Sequence, residues 1–181
     1  MALQGFSMRA LGPGSVSSFL KIILDVVYAA LWISLGAVTL ALLAALLFAL
    51  NPDLAPKSMN ADAATVASRA PLYAGMLLGF ALSIAGVLVI VDALRRIFMT
   101  LAAGDPFHPD NVKRLGVIGL MLAGLELGRY VVSAVAPFLP WVKKVDANFN
   151  LTAWFSVLVV FVLAEVFREG ARLRREAELT I

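Results

Sequence analysis

The chain has 181 residues, of which 61% are hydrophobic and only 15% charged, and its mean hydropathy of +0.91 places it outside soluble globular usage and among polytopic membrane proteins. A net charge of +3 could suit nucleic acid, but the basic residues gather at the ends of apolar runs, where lipid headgroups attract them, so direct nucleic-acid binding is set aside. With no cysteine, disulfides, thiolate metal sites and thiol nucleophiles are excluded.

In chain order, residues 1–18 carry Gly5, Gly12, Pro13, Gly14 and four serines, a composition that predicts a flexible cytoplasmic leader ending in a serine-rich helix cap. The run from Val26 to Leu50 has no charge and is far longer than a signal-peptide core, which makes it part of an uncleaved first span, about 20–50. Asn51 and Pro52 stop it. The segment from Asn51 to Ala70 is polar and has room for a short amphipathic helix.

A second span, about 71–103, starts at Pro71 and outruns a bilayer core of about 30 Å at 1.5 Å per residue. Next comes the most punctuated stretch, DALRRIFMTLAAGDPFHPDNVKR, from Asp92 to Arg114. Gly104 can take the left-handed conformation that ends a helix, and Pro106 cannot continue one. Pro109 suits a first helical turn, His108 falls at the cap, and Asp110 places a negative charge at the positive helix end. The stretch is therefore a helical hairpin, with Arg95, Arg96, Lys113 and Arg114 at its neck and Gly104, Pro106, Phe107 and Asn111 at its tip. Phe107 is an apolar anchor at that tip, exposed unless something covers it.

The third span, about 109–137, has Glu126 and Arg129 near its middle, and Pro137 and Pro140 end it. At 100° per residue, Gly119, Ala123, Glu126, Arg129, Tyr130 and Ser133 share one helix side, with Val117, Met121, Val131 and Val135 opposite. An intramembrane charge pair must face protein or a water-filled cavity. Neutralisation on their own helix, a ligand or proton site, and a contact within an oligomer are the readings open for Glu126 and Arg129. The fourth span, about 149–170, runs into a charged helical tail, 171–181. Asp25, Asp92 and Glu165 lie at the hairpin-side ends of three spans, either joined to cations of other helices or as separate interfacial charges. Gly75, Gly79, Ser83 and Gly86 form a small-residue stripe on the second span, which leaves open packing within one subunit or a homodimer seam.

The fold class expected is all-α: a bundle of four transmembrane helices over 19–170, with a leader at 1–18 and a tail at 171–181. Ten Lys and Arg flank the spans on the leader, hairpin and tail side against four on the other, which places both termini and the hairpin in the cytoplasm. Tyr73, Trp141 and Trp154 fall at the opposite ends of their spans, where amphipathic rings settle. No catalytic, cofactor or metal spacing occurs: His108 is the one histidine, and a helix cap accounts for it. An enzyme is not expected, and the runner-up function is a small transport or channel subunit built on the Glu126 and Arg129 pair.

LRRIFMTLAAGDPFHPDNVKRLGVIG, AEVFREGARLRREAELTI and the entry GPGSVSSFLKIILDVVY together resemble the bacterial membrane family catalogued as domain of unknown function 2975. The GDPF…NV hairpin and the EVFREG…LTI ending are the most specific parts, and His108 departs from the threonine-like cap expected before Pro109. The resemblance implies a bacterial inner-membrane protein with no established enzymatic activity, often encoded beside a short Cro-type helix-turn-helix regulator. It thereby implies a sensory or regulatory membrane module whose partners are the lipid bilayer and that cytoplasmic regulator.

Overall fold

In a computed structural model, residues 16–54, 63–138 and 148–179 are described. Within them the chain forms helix α1, Val16–Leu50, helix α2, Ala63–Ala102, helix α3, Pro109–Val135, and helix α4, Leu151–Glu178, with no strand. Short 3₁₀ turns follow α1 at Pro52–Leu54 and α3 at Ala136–Phe138. All four helices are long and apolar enough to cross a membrane, so this is a multi-pass integral membrane protein. Residues 1–15 of the expected leader, Lys57 and the 55–62 loop, Pro140, Trp141, Lys143 and Lys144 lie outside the described residues, while residues 16–18, also expected in the leader, open α1.

Helix α2 begins at Ala63, not at Pro71, and carries that proline inside it. Pro71 lies early enough that the helix absorbs the missing N–H without breaking, and 40 residues give a rod of roughly 60 Å, twice a bilayer core. Helix α4 likewise continues without interruption into the charged tail as far as Glu178. Within lipid, a hydroxyl without water must bond to protein. Ser34, Thr39, Ser83 and Ser156 each donate to the carbonyl four residues earlier, at 2.7–2.9 Å.

The helices pack in chain order, α1 on α2, α2 on α3 and α3 on α4, and among the described residues no other pair of helices packs closely. The bundle is therefore open, an antiparallel row with wide apolar flanks. Its small core lies in the hairpin-side half, where Ala93, Ile97 and Ile118 are buried beneath Ile90, Leu94, Leu115 and Val160. Such a core suffices because lipid chains solvate the remaining leucines and valines as well as protein would.

Among the described glycines, two admit a side chain of a neighbouring helix closely. A Cβ at Gly119 would lie 3.0 Å from two ring carbons of Phe161 on α4, and one at Gly86 would lie 3.1 Å from Leu125 on α3. Gly75 and Gly79, the other glycines of the α2 stripe, meet nothing within 4 Å. The Gly119→Leu variant must displace the Phe161 ring, and the expected loss is about 1–3 kcal/mol. Gly116→Ala, at a position with nothing within 4 Å, should lose nothing. Thermal unfolding midpoints of the two variants in detergent check the contrast.

Candidate functional site

The hairpin between α2 and α3 is built from the buried amide of Asn111, which has 0% exposure. Gly104 turns the chain with φ of 80°, and its N–H bonds to the Leu101 carbonyl at 3.0 Å. His108 caps α3: its Nδ1 accepts the Asp110 N–H at 3.2 Å, so an imidazole replaces the usual hydroxyl or carboxamide. Asn111 Nδ2 donates to Thr100 Oγ1 at 2.7 Å and to the Pro106 carbonyl at 3.0 Å. Thr100 passes its own proton to the Ile97 carbonyl at 2.7 Å. Arg114 completes the knot, donating to Asn111 Oδ1 at 2.8 Å and to the Arg96 carbonyl at 3.2 Å. One side chain thus joins the end of α2, the turn and the start of α3.

Helix α4 covers one side of this tip. The Phe107 ring sits 5.7 Å from that of Phe167, and a Cβ at Gly170 would lie 2.6 Å from two Phe107 ring carbons. Arg174 donates to Asp105 in a charge-assisted bond. Phe167, Gly170 and Arg174 fall on one stripe of α4, so one helix face clasps the tip by a ring, a space and a charge. Phe107 is therefore not a bare anchor: 39% of it stays exposed, and α4 covers the ring face that the sequence left unassigned.

The polar residues of α3 gather at the opposite end of the molecule. Glu126 is 8% exposed and accepts two bonds from Arg129, Nη2 to Oε1 at 2.6 Å and Nε to Oε2 at 3.2 Å. Arg129 also donates to the Asn148 carbonyl at 2.9 Å and lies 5.0 Å from the Tyr130 ring centre. The Tyr130 hydroxyl accepts Trp154 Nε1 at 3.2 Å and the Asn150 N–H at 3.4 Å. Asn150 in turn caps α4 through the Ala153 N–H at 3.2 Å. Because Asn148 and Asn150 precede α4, the ion pair stands level with the start of that helix. It lies in the second half of α3, with Ser133 one turn further on.

Residues 54–181 match the family model described as "Protein of unknown function (DUF2975)". The chain belongs to this family. No curated protein and no solved structure matches the chain at the significance required. Membership in DUF2975 brings no named reaction, yet its matched segment contains both the GDPF turn and the EVFREG helix, and these two sequences touch through Phe107, Phe167 and Gly170.

The rim acids of this DUF2975 chain divide by partner. Asp25 reaches across from α1 to Arg95 on α2, at 2.5 Å, and the same guanidinium lies 4.2 Å from the Tyr28 ring centre. Asp92 pairs with Arg96 at 2.7 Å and Glu165 with Arg168 at 2.5 Å, each on its own helix. Lys113 keeps 83% of its side chain exposed beside Asp110. Sequence spacing placed Glu126 beside Arg129, but Trp154, Asn148 and Asn150 came from a helix start far along the chain and carried no local signal. Asn111→Leu strands the Pro106 carbonyl and removes the acceptor held by Arg114, and its expected cost is about 2–3 kcal/mol. The thermal midpoint in detergent reads that loss; a midpoint equal to wild type would show that the amide does not hold the hairpin.

Proposed function

We propose that the protein is a regulatory module of the bacterial inner membrane, not an enzyme, that acts through a cytoplasmic protein docked on the hairpin and the α4 tail. The observation that carries this reading is the clasp of Phe107 and Asp105 by Phe167, Gly170 and Arg174. A membrane-spanning helix that continues unbroken onto a rigid turn is a mechanical link, since any tilt or rotation of α4 within the bilayer moves the surface at the hairpin. The family resemblance supplies the partner class, a short helix-turn-helix regulator, which such a surface would hold or release as the helix packing changes. Orientation rests on the excess of Lys and Arg on the hairpin side.

The competing reading, a small transport or channel subunit built on Glu126 and Arg129, has less support. The two groups neutralise each other in a bidentate pair and fasten the start of α4 through Asn148, which is a structural duty.

Two measurements test the proposal. The chain has no cysteine, so Lys113→Cys should react with a membrane-impermeant maleimide only after the cells are opened, and Asp53→Cys should react in intact spheroplasts. The reverse pattern would put the hairpin outside and end the regulatory reading. An affinity pull-down from gently solubilised membranes should retain a helix-turn-helix protein, identified by peptide sequencing, on the intact chain. It should lose that protein with Gly170→Leu, which forces Phe107 away, and with Phe107→Ala in a chain ending at Arg168. Folded protein that retains no such regulator would overturn the proposal.

A further inference from the structure

We propose that the groove between α2 and α3 is a binding site for one anionic phospholipid of the leaflet away from the hairpin. The groove begins where Leu125 closes on Gly86 and runs along the outer halves of the two helices, enclosing about 960 Å³. That volume is at the upper end of the roughly 300–1,000 Å³ of small-molecule sites. Both walls are apolar and floored by glycine: Gly75 and Gly79 on α2 and Gly124 and Gly128 on α3 line it and have nothing within 4 Å.

Charge decides the occupant. Among the described residues lining the groove, Arg129 is the one charged side chain and no acid is present. About a third of the Arg129 side chain, 33%, stays exposed, whereas Glu126 keeps only 9%, so the cationic partner of the pair is the one that borders the groove. Arg129 lies about 22 Å along α3 from Arg114 at 1.5 Å per residue, near the far edge of a core of about 30 Å. That leaves it about 8 Å short of the core's edge, a gap that a long arginine side chain bridges by reaching toward the headgroups, beside Tyr130 and Trp154. A second copy would bring another helix but no counter-charge, because its own Glu126 is already engaged by its Arg129. A rigid helix about 10 Å across also cannot follow a groove that closes at Gly86. A phospholipid answers both demands. Its phosphate matches the guanidinium, an anionic headgroup adds no competing cation, and flexible acyl chains taper into the glycine-floored end.

The test uses the full chain in mild detergent, titrated with dioleoyl phosphatidylglycerol or dioleoyl phosphatidylcholine, with bound lipid counted by native mass spectrometry. Wild type should bind phosphatidylglycerol roughly fivefold more tightly, the preference that one arginine confers near a membrane surface. Gly79→Phe, whose ring grows into the groove away from the ion pair, should weaken both lipids roughly tenfold or more, a loss of about 1.4 kcal/mol. Glu126→Gln combined with Arg129→Gln should abolish the preference, so that the two lipids bind with equal affinity. Equal binding of the two lipids by wild type, or wild-type binding by Gly79→Phe, would overturn the proposal. So would efficient disulfide formation between Gly79→Cys and Gly128→Cys chains in lipid, which would assign the groove to a second copy.

Discussion

Everything on the hairpin side depends on a primary amide withdrawn from solvent. Asn111 has two donors and two acceptor sites, and its donors reach Thr100 and the Pro106 carbonyl while its oxygen takes Arg114. In a low-dielectric setting an unpaired amide is costly, so the arrangement is sharply selective: only the turn that brings these groups together satisfies it. The consequence is a fixed angle between the two central helices at one end. The core of Ala93, Ile97 and Ile118 then forms beside the turn, where the helices are already held.

Away from the hairpin the physics changes. Between lipid chains, apolar side chains gain little by leaving one hydrocarbon surface for another, so helices associate by close packing, hydrogen bonds and charge. The outer half of the molecule follows that rule. Where Glu126, Arg129, Tyr130 and Trp154 connect, α3 and α4 are tied, and α2 and α3 part around a groove. In the regulatory role proposed for the protein, the open end would yield to changes in the bilayer and the firm end would carry that movement to the surface.

The features legible in the sequence are those with local causes. The four spans follow from length and composition, Gly104 from its lack of a Cβ, the His108 cap from its place before Pro109, and the Glu126 and Arg129 pair from spacing along one helix. The features that were illegible need partners distant in the chain. Asp25 pairing with Arg95, Gly170 receiving Phe107, and Arg129 reaching Asn148 leave no trace in periodicity. Pro71 misled for a different reason: proline often starts a helix, but here two earlier turns, from Ala63, had already formed.

Gly170 shows how the two kinds of information join. In isolation, a glycine inside an exposed charged helix is a weakness of about 1 kcal/mol relative to alanine. The structure gives it a purpose, because a Cβ there would stand 2.6 Å from the Phe107 ring. The EVFREG sequence therefore makes sense only beside GDPF, with Phe167 against the ring and Arg174 on Asp105. Both segments lie in the family-matched region, while Asp25 and the rest of α1 fall outside residues 54–181. The clasp between hairpin and α4 thus belongs to the matched portion of the chain, and the α1 contact through Arg95 holds that portion from the flank. The clasp joins five residues, Asp105, Phe107, Phe167, Gly170 and Arg174, and losing either ring, the space or either charge leaves the facing residue without its partner.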